Sequence, residues 1–528
     1  MKKIISLFAG IFLSAASFAQ QIPFAVELEP MSIPNMPGLH SFAWAEHNGL
    51  WLIIGGRTNG LHGFQPNFAF PQTGQNSSVY VVDPVAGQVW SASLNALNVD
   101  LKDQLISSNM QFYQDSAVLL FSGGYGYSNT AQDHITFPNL TLIDVPGLIG
   151  AVQNNLPIQS YFRQIADQRF AVTGGHMGKI GNRYLVAFGH RFDGRYNPHN
   201  GPSFTQTYTE EIRWFEILDN GLTFTVQNYV AESNPVYYHR RDYNMSPKIF
   251  PNGDFGYTGF TGVFRADKDW PHFNSVQITS NGGQADSSFQ QLYNQYHTAN
   301  VSIFDTASRI THTLFFGGMG MYYNDVNGLP VQDTMVPFVK TVSAVSSGPA
   351  GSFESVLPVQ MPGYQGSAAE FIPASGVPQL FGEVVNLNML DTGRVLIGYI
   401  VGGIESDQPN IFMQTTGSSW AVSQMIKVYV HRGTMSIQQW SEALSALYLY
   451  PNPASSFINI SFSLKEQMHV KVAVYDLSGR LISVEDRGEQ MKGDHRIQID
   501  TAAYQQGAYI LQLNIGDKTV SRQIQVIH

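Results

Sequence analysis

Six times between Pro37 and Arg432 an apolar run ends in a pair of small residues. Leu52-Ile53-Ile54-Gly55-Gly56 and Leu120-Phe121-Ser122-Gly123-Gly124 come first, and Phe315-Phe316-Gly317-Gly318 and Ile400-Val401-Gly402-Gly403 come last. Val186-Ala187-Phe188-Gly189 and Tyr257-Thr258-Gly259 are degenerate third and fourth copies. Helix signals are scarce between them. Several pairs are instead followed by an extended run carrying an aromatic. Ser78-Val79-Tyr80-Val81-Val82-Asp83-Pro84, closing with Gly87 and Trp90, is the clearest, and Ile212 to Glu216 and Met425 to Val430 are weaker counterparts. A repeat of this length predicts an array of similar β units, each burying its faces against its neighbours. Paired glycines let adjacent strands turn tightly and approach closely.

The double glycine followed by Tyr80 and Trp90 resembles a kelch repeat, so the expected fold is all-β, a kelch-like β-propeller. Six blades are expected; seven is the competitor, because the interval from Gly318 to Gly402 is long enough to hold another. Kelch units run near 50 residues, and the surplus here falls in Thr58 to Asn76, Gly189 to Gly201 and Gly318 to Pro330. Long loops on one rim of a rigid scaffold are where binding usually resides.

Composition narrows the function. With 13% charged and 12% aromatic residues the chain is neither disordered nor a helical rod. A net charge of −10 excludes a protein that coats nucleic acid. The absence of cysteine excludes disulfides, thiol catalysis and iron–sulfur clusters.

The two ends carry addresses. Lys2 and Lys3, an apolar run from Ile4 to Leu13 and the small residues up to Ala19 have the form of a secretory signal peptide, 1–19. No later run is long and apolar enough for a membrane helix. At the other end, eight basic and eight acidic residues from Ala446 to His528 balance, leaving 19 basic against 31 acidic residues in the body. Ile458, Ile460, Phe462 and Leu464 alternate with polar residues, as do Val470, Val472 and Val474, and Tyr509, Leu511 and Leu513. That is the pattern of short antiparallel strands in a small sandwich.

Tyr450-Pro451-Asn452-Pro453-Ala454, Val474-Tyr475-Asp476-Leu477-Ser478-Gly479-Arg480 and Gly507-Ala508-Tyr509-Ile510 together resemble the type A C-terminal sorting domain of type IX secretion. The resemblance implies an immunoglobulin-like sandwich and a Bacteroidetes-type protein carried through an outer-membrane translocon. It also implies handling by a sortase and a place at the cell surface or outside the cell. Pro451, Asn452, Pro453, Tyr475, Asp476, Gly479, Gly507 and Tyr509 carry the motifs. The expected organisation is a signal peptide (1–19), an N-terminal segment (20–36), the propeller (37–433), a linker (434–445) and the sorting domain (446–528).

Candidate binding residues fall in three groups. Counting back from the small-residue pairs puts Ser41, Asn109, Asn244 and Asn388 at similar places in the innermost strands, with Gly174 at the third and His297-Thr298 near the fifth. Such a ring either lines a wet channel or holds a polar ligand. Tyr237-Tyr238-His239-Arg240-Arg241-Asp242-Tyr243 is the densest polar run. Guanidinium forks suit carboxylate or phosphate and phenol faces suit sugar rings; a blade strand paired to its neighbours is the other reading. His176, His190, Arg191 and Asp193, with His199 following, fall in one unit but lack metal-ligand spacing, so no metal is expected. Asp325 to Gly328 and Asp267-Lys268-Asp269 fall short of a calcium loop. No cofactor is expected, calcium being the one candidate.

No nucleophile elbow and no phosphate-binding loop is present, and copper oxidases with a cysteine-linked tyrosine are excluded by composition. The leading expectation is a surface protein that binds glycan or another surface protein without catalysis. The alternative is a carbohydrate-active epimerase, mutarotase or lyase on the same scaffold, with Arg57, Arg191, Arg241 and Glu405 as candidates to face a pocket. A structural surface-layer component is the third.

Overall fold

A computed structural model describes residues 22–63, 69–196, 203–325, 330–411, 418–432, 444–450, 454–476, 480–516 and 518–526. The expected signal peptide, His199, Pro451, Asn452, Pro453, Gly479 and Val326 to Gly328 lie outside these residues. The chain divides into two compact units, one spanning Val26–Arg432 and the other containing the residues from Gly433 on. Both are built of β-strands, and no helix among the described residues is long and apolar enough to cross a membrane.

In the larger unit six sheets of four or more strands follow one another in sequence order, antiparallel except where Val384–Asn386 joins the fifth in parallel. The first contains Ala43–His47, Leu50–Ile54, Ser78–Asp83 and Gln88–Ser93. The second contains Gln111–Asp115, Val118–Ser122, Asn139–Asp144 and Phe162–Ala166, and the third His176–Ile180, Arg183–Ala187, Glu211–Asp219 and Phe224–Ser233. The fourth runs Asn244–Ile249, Phe255–Phe260, Ser275–Thr279 and Gly282–Asp286. Asn300–Asp305, Ile310–Phe316, Thr341–Gly348 and Gly351–Gln360 form the fifth, which Val384–Asn386 and Gln379–Leu380 extend. The sixth takes Glu370–Pro373, Gly393–Val401 and Met425–Arg432, and its outer strand is Phe24–Met31 from the other end of the unit. The segment read from sequence as lying ahead of the repeats thus completes the last sheet. Glu27 and Glu29 there pair with Arg394, Lys427 and His431.

Apolar side chains pack each sheet on the next. Leu52 and Ile54 meet Leu119 and Phe121, Leu120 and Leu142 meet Val186 and Phe215, and Leu185 and Phe188 meet Tyr243 and Val276. Phe260 packs edge-on against Phe315 and Phe316 stacks over Phe371. Trp51 of the first sheet packs edge-on against Tyr399 of the sixth, with centroids 5.0 Å apart. Being covered on both faces, strands such as Ile310–Phe316 are buried at every position.

The small-residue pairs sit where each second strand ends. Gly56 donates its N–H to Ser107 O, in the segment leading into the next sheet, at 2.8 Å, and a Cβ there would lie 2.5 Å from His40 O. The fourth pair is not at Thr258-Gly259, which lies inside Phe255–Phe260, but at Thr261-Gly262, with φ of 51° and 92°. Phe188-Gly189 has the same conformation at 55° and 83°.

The smaller unit has one core between two sheets. Leu444–Tyr450, Phe457–Leu464 and Gly493–Asp500 form one, and Leu481–Gln490, Met468–Asp476, Gly507–Ile515 and Lys518–Val526 the other. Ile458, Ile460, Phe462, Val470, Val472, Val474, Leu511 and Leu513 fill the space between.

Candidate functional site

The residue directly after each small-residue pair bridges to the residue just ahead of its own unit's innermost position. Arg57 pairs with His40, Tyr125 with Ser108, His190 with Thr173, Val263 with Arg241, Met319 with Tyr296 and Ile404 with Ser367. All twelve line one cavity of about 450 Å³, a volume typical of small-ligand sites.

Its floor is made by the next residue in each unit: Ser41, Asn109, Gly174, Asp242, His297 and Ala368. Backbone N–H groups link these in a chain: Ala368 donates to His297 O (2.6 Å), Ser41 to Ala368 O (3.1 Å), Asn109 to Ser41 O (3.2 Å), Gly174 to Asn109 O (3.0 Å) and Asp242 to Gly174 O (2.8 Å). All six have φ between 44° and 65°. For five of them a side chain is held in the left-handed region that favours glycine.

Polar side chains from several units surround the floor. Asp242 pairs with Arg241 at 2.5 Å, accepts from Asn109 Nδ2 at 3.4 Å and lies 3.9 Å from His297 Nδ1. Burial works against its charge, yet Arg241 holds the carboxyl below the usual range. Arg57 is 3% exposed and donates to Asn59 Oδ1 and Pro71 O; burial lowers it to about 10. Burial, then the nearby guanidinium in each case, lowers His40 and His190 to about 3. Burial also lowers His297. At neutral pH the floor therefore presents two guanidiniums, the Asp242 carboxylate and uncharged imidazoles, and Asp269 joins the lining together with Phe264. Above the floor the wall turns aromatic: Phe70 packs against Tyr125 at 5.2 Å, Tyr125 against Phe192 at 5.2 Å and Phe192 against Tyr196 at 5.9 Å.

Beneath the floor is a second cavity of about 60 Å³, lined by Gln111, His176 and Glu370 with Asn109, Gly174, Asp242 and His297. Burial raises Glu370 to about 8, opposed by a hydrogen bond from Trp44. Farther along the inner strands Glu383 Oε1 accepts from Tyr113 of the second sheet (3.2 Å) and Tyr257 of the fourth (2.8 Å).

Of the residues singled out in the sequence, Ser41, Arg57, Asn109, His190, Arg241, Asp242, Asp269 and His297 line the larger cavity, and Gly174 and His176 the smaller, His176 Nε2 being bonded to Tyr243 O. The others lie elsewhere. Arg240 is fully buried, donating to Tyr237 O and Thr261 O. Tyr238 donates to Gly283 O, and His239 pairs with Glu210 Oε1 and stacks on Tyr208. Arg191 pairs with Asp193, and Glu405 does not line the cavity. Asn244 binds Gln295 O and Thr298 N inside the protein. Asn388 is not on an innermost strand: it lies in the turn Leu387–Met389, where it accepts from Thr306. His40, Tyr125, Thr173 and Tyr296 were missed. Their signal was positional, one residue after a small-residue pair or one before a floor residue. Among the described residues no group of three or more acidic, histidine or cysteine side chains is arranged to hold a metal.

In the smaller unit Asp476 accepts from the Arg480 backbone N–H at 3.0 Å, and Tyr509 donates its hydroxyl to Gln505 O at 2.8 Å. A family model described as a secretion system C-terminal sorting domain matches residues 448–527. No curated protein matches the chain. A solved structure titled "Structure of YjhT" aligns at 10% identity with a TM-score of 0.39, covering 74% of this chain and 98% of that one. The chain carries a type IX sorting domain, and the protein is exported across the outer membrane to the cell surface or the extracellular space.

Proposed function

We propose that the larger unit is a six-bladed, kelch-like propeller whose axial cavity binds the sugar of a glycan outside the cell. The cyclic order of sheet packing, with Trp51 on Tyr399 between the last and the first, supports six blades rather than seven, as does the chain of hydrogen bonds through Ser41, Asn109, Gly174 and Asp242. The observation that carries the binding reading is that all six units direct residues into one cavity with a polar floor and aromatic wall. Carboxylate and amide groups match sugar hydroxyls, and aromatic faces match the apolar faces of the rings.

Glycan-array binding by the purified secreted protein, wild-type and Asp242→Ala, tests this. A defined set of glycans, lost in the variant and displaced by the free sugar, is the expected result. An array without hits, or hits indifferent to the substitution, would overturn it.

A catalytic reading has one observation in its favour. Uncharged His297 beside anionic Asp242 is a plausible pair for proton transfer at a sugar carbon. Conversion of a bound sugar, followed by NMR and abolished in His297→Gln, would select it over binding alone.

Export has its own test. Removing residues 446–528 should leave the body in the periplasm, and surface fractionation of the truncated strain checks this.

A further inference from the structure

Resting on the reading of the axial cavity as a sugar site, we infer that it takes only the end of a ligand. The occupant is a glycoside whose terminal sugar lies on Asn109, Asp242 and His297 and whose next group is apolar or aromatic. Two independent features lead there.

The first is that the axis is obstructed below the floor. The space beneath it is about 60 Å³ and has room only for a few waters. Tyr113 lies four residues along its strand from Asn109, about 13 Å at the rise of a strand. There Glu383 bridges Tyr113 and Tyr257, closing the way between the second and fourth sheets. A chain cannot thread through, so an internal segment has no exit.

The second is a division of chemistry between the floor and the side walls of the cavity. Charge and amides sit at the floor, where Asn109 and Asp242 keep side chains at φ of 55° and 49°. Glycine would relieve that strain, so what is retained there is the side chain itself. On the sides, Phe70, Tyr125, Phe192 and Tyr196 form one wall, with Arg57 over the Phe70 ring, and Met319, Val336 and Ile404 cluster on another. A single sugar on the floor covers only part of these walls; an aromatic or acyl substituent covers the rest.

Titration calorimetry of the full secreted protein with matched methyl and 4-nitrophenyl glycosides of hexoses and N-acetylhexosamines tests the inference. The aryl member of the binding pair should hold at least about tenfold tighter, and Phe70→Ala and Tyr196→Ala should each reduce that ratio. Equal affinities, or a ratio unmoved in both variants, overturn the inference but leave the sugar site standing. Absence of binding by every glycoside overturns both.

Discussion

The two cavities share the floor residues Ser41, Asn109, Asp242 and His297 but differ in most of the rest. Above, guanidiniums and imidazoles lie beside aromatic rings; below, a carboxyl, an amide and the His176 imidazole enclose space for a few waters. The same repeat builds both, because the residue after each small-residue pair and those of the innermost strand emerge on opposite sides of the floor. The difference appears in proton linkage. His40 and His190 are held near 3 when folded, below the ordinary histidine value of 6.5. Their contribution to stability is present above 6.5 and is lost as pH falls toward 3. Glu370 is raised to about 8 from 4.5. Its contribution is present below 4.5 and is lost as pH rises through 8.

Asp242→Ala should give the largest effect, because it removes the group both cavities share. Ligand affinity should be lost, and stability should fall by about 2 kcal/mol, the scale of a hydrogen bond to a charged partner, as read from denaturant unfolding. An unchanged midpoint would mean Arg241 finds another partner.

Next in size are two substitutions that separate the cavities by pH. His190→Gln should flatten the acid limb of the melting temperature between pH 6.5 and 4 and leave the alkaline limb alone. Glu370→Gln should do the reverse, raising the melting temperature relative to wild type near pH 9 with sugar affinity at pH 7 unchanged. If either substitution moves the opposite limb, the assignment of charge to the two cavities fails.

The smallest effect on stability is expected at Asn109. Glycine there relieves a left-handed φ while removing one hydrogen bond, terms of opposite sign and each about 1 kcal/mol. The melting temperature should stay close to wild type, which differential scanning calorimetry would show.

Much of this was legible in the residues because glycine marks geometry. Gly55-Gly56 and Gly123-Gly124 end second strands where the sequence placed them. The fourth pair was displaced by three residues because its left-handed turn uses Thr261, whose side chain hides the requirement. Asn388 was misplaced for a different reason. Counting back from Gly402 crosses Gln379 to Met389, which joins the fifth sheet, whereas the sixth unit's innermost residue is Ala368. The run from Tyr237 to Tyr243 looked like a site because it is dense in polar groups. Arg240 nonetheless turns inward onto carbonyls, and only Arg241 and Asp242 face the cavity. Which polar residues converge depends on contacts between units far apart in the chain, such as Asn109 with Asp242, and no spacing records those. The tail was easier, since its Ile458-Ile460-Phe462 alternation maps directly onto its core.

The most direct test is calorimetric titration of the sugar found on the array into wild-type and Asn109→Gly protein, each first shown to melt normally. One site per chain is predicted for the wild type, with affinity reduced at least about tenfold in the folded variant. Equal affinity in the two proteins would contradict the account, because the strained floor would then hold its side chains for some purpose other than the ligand.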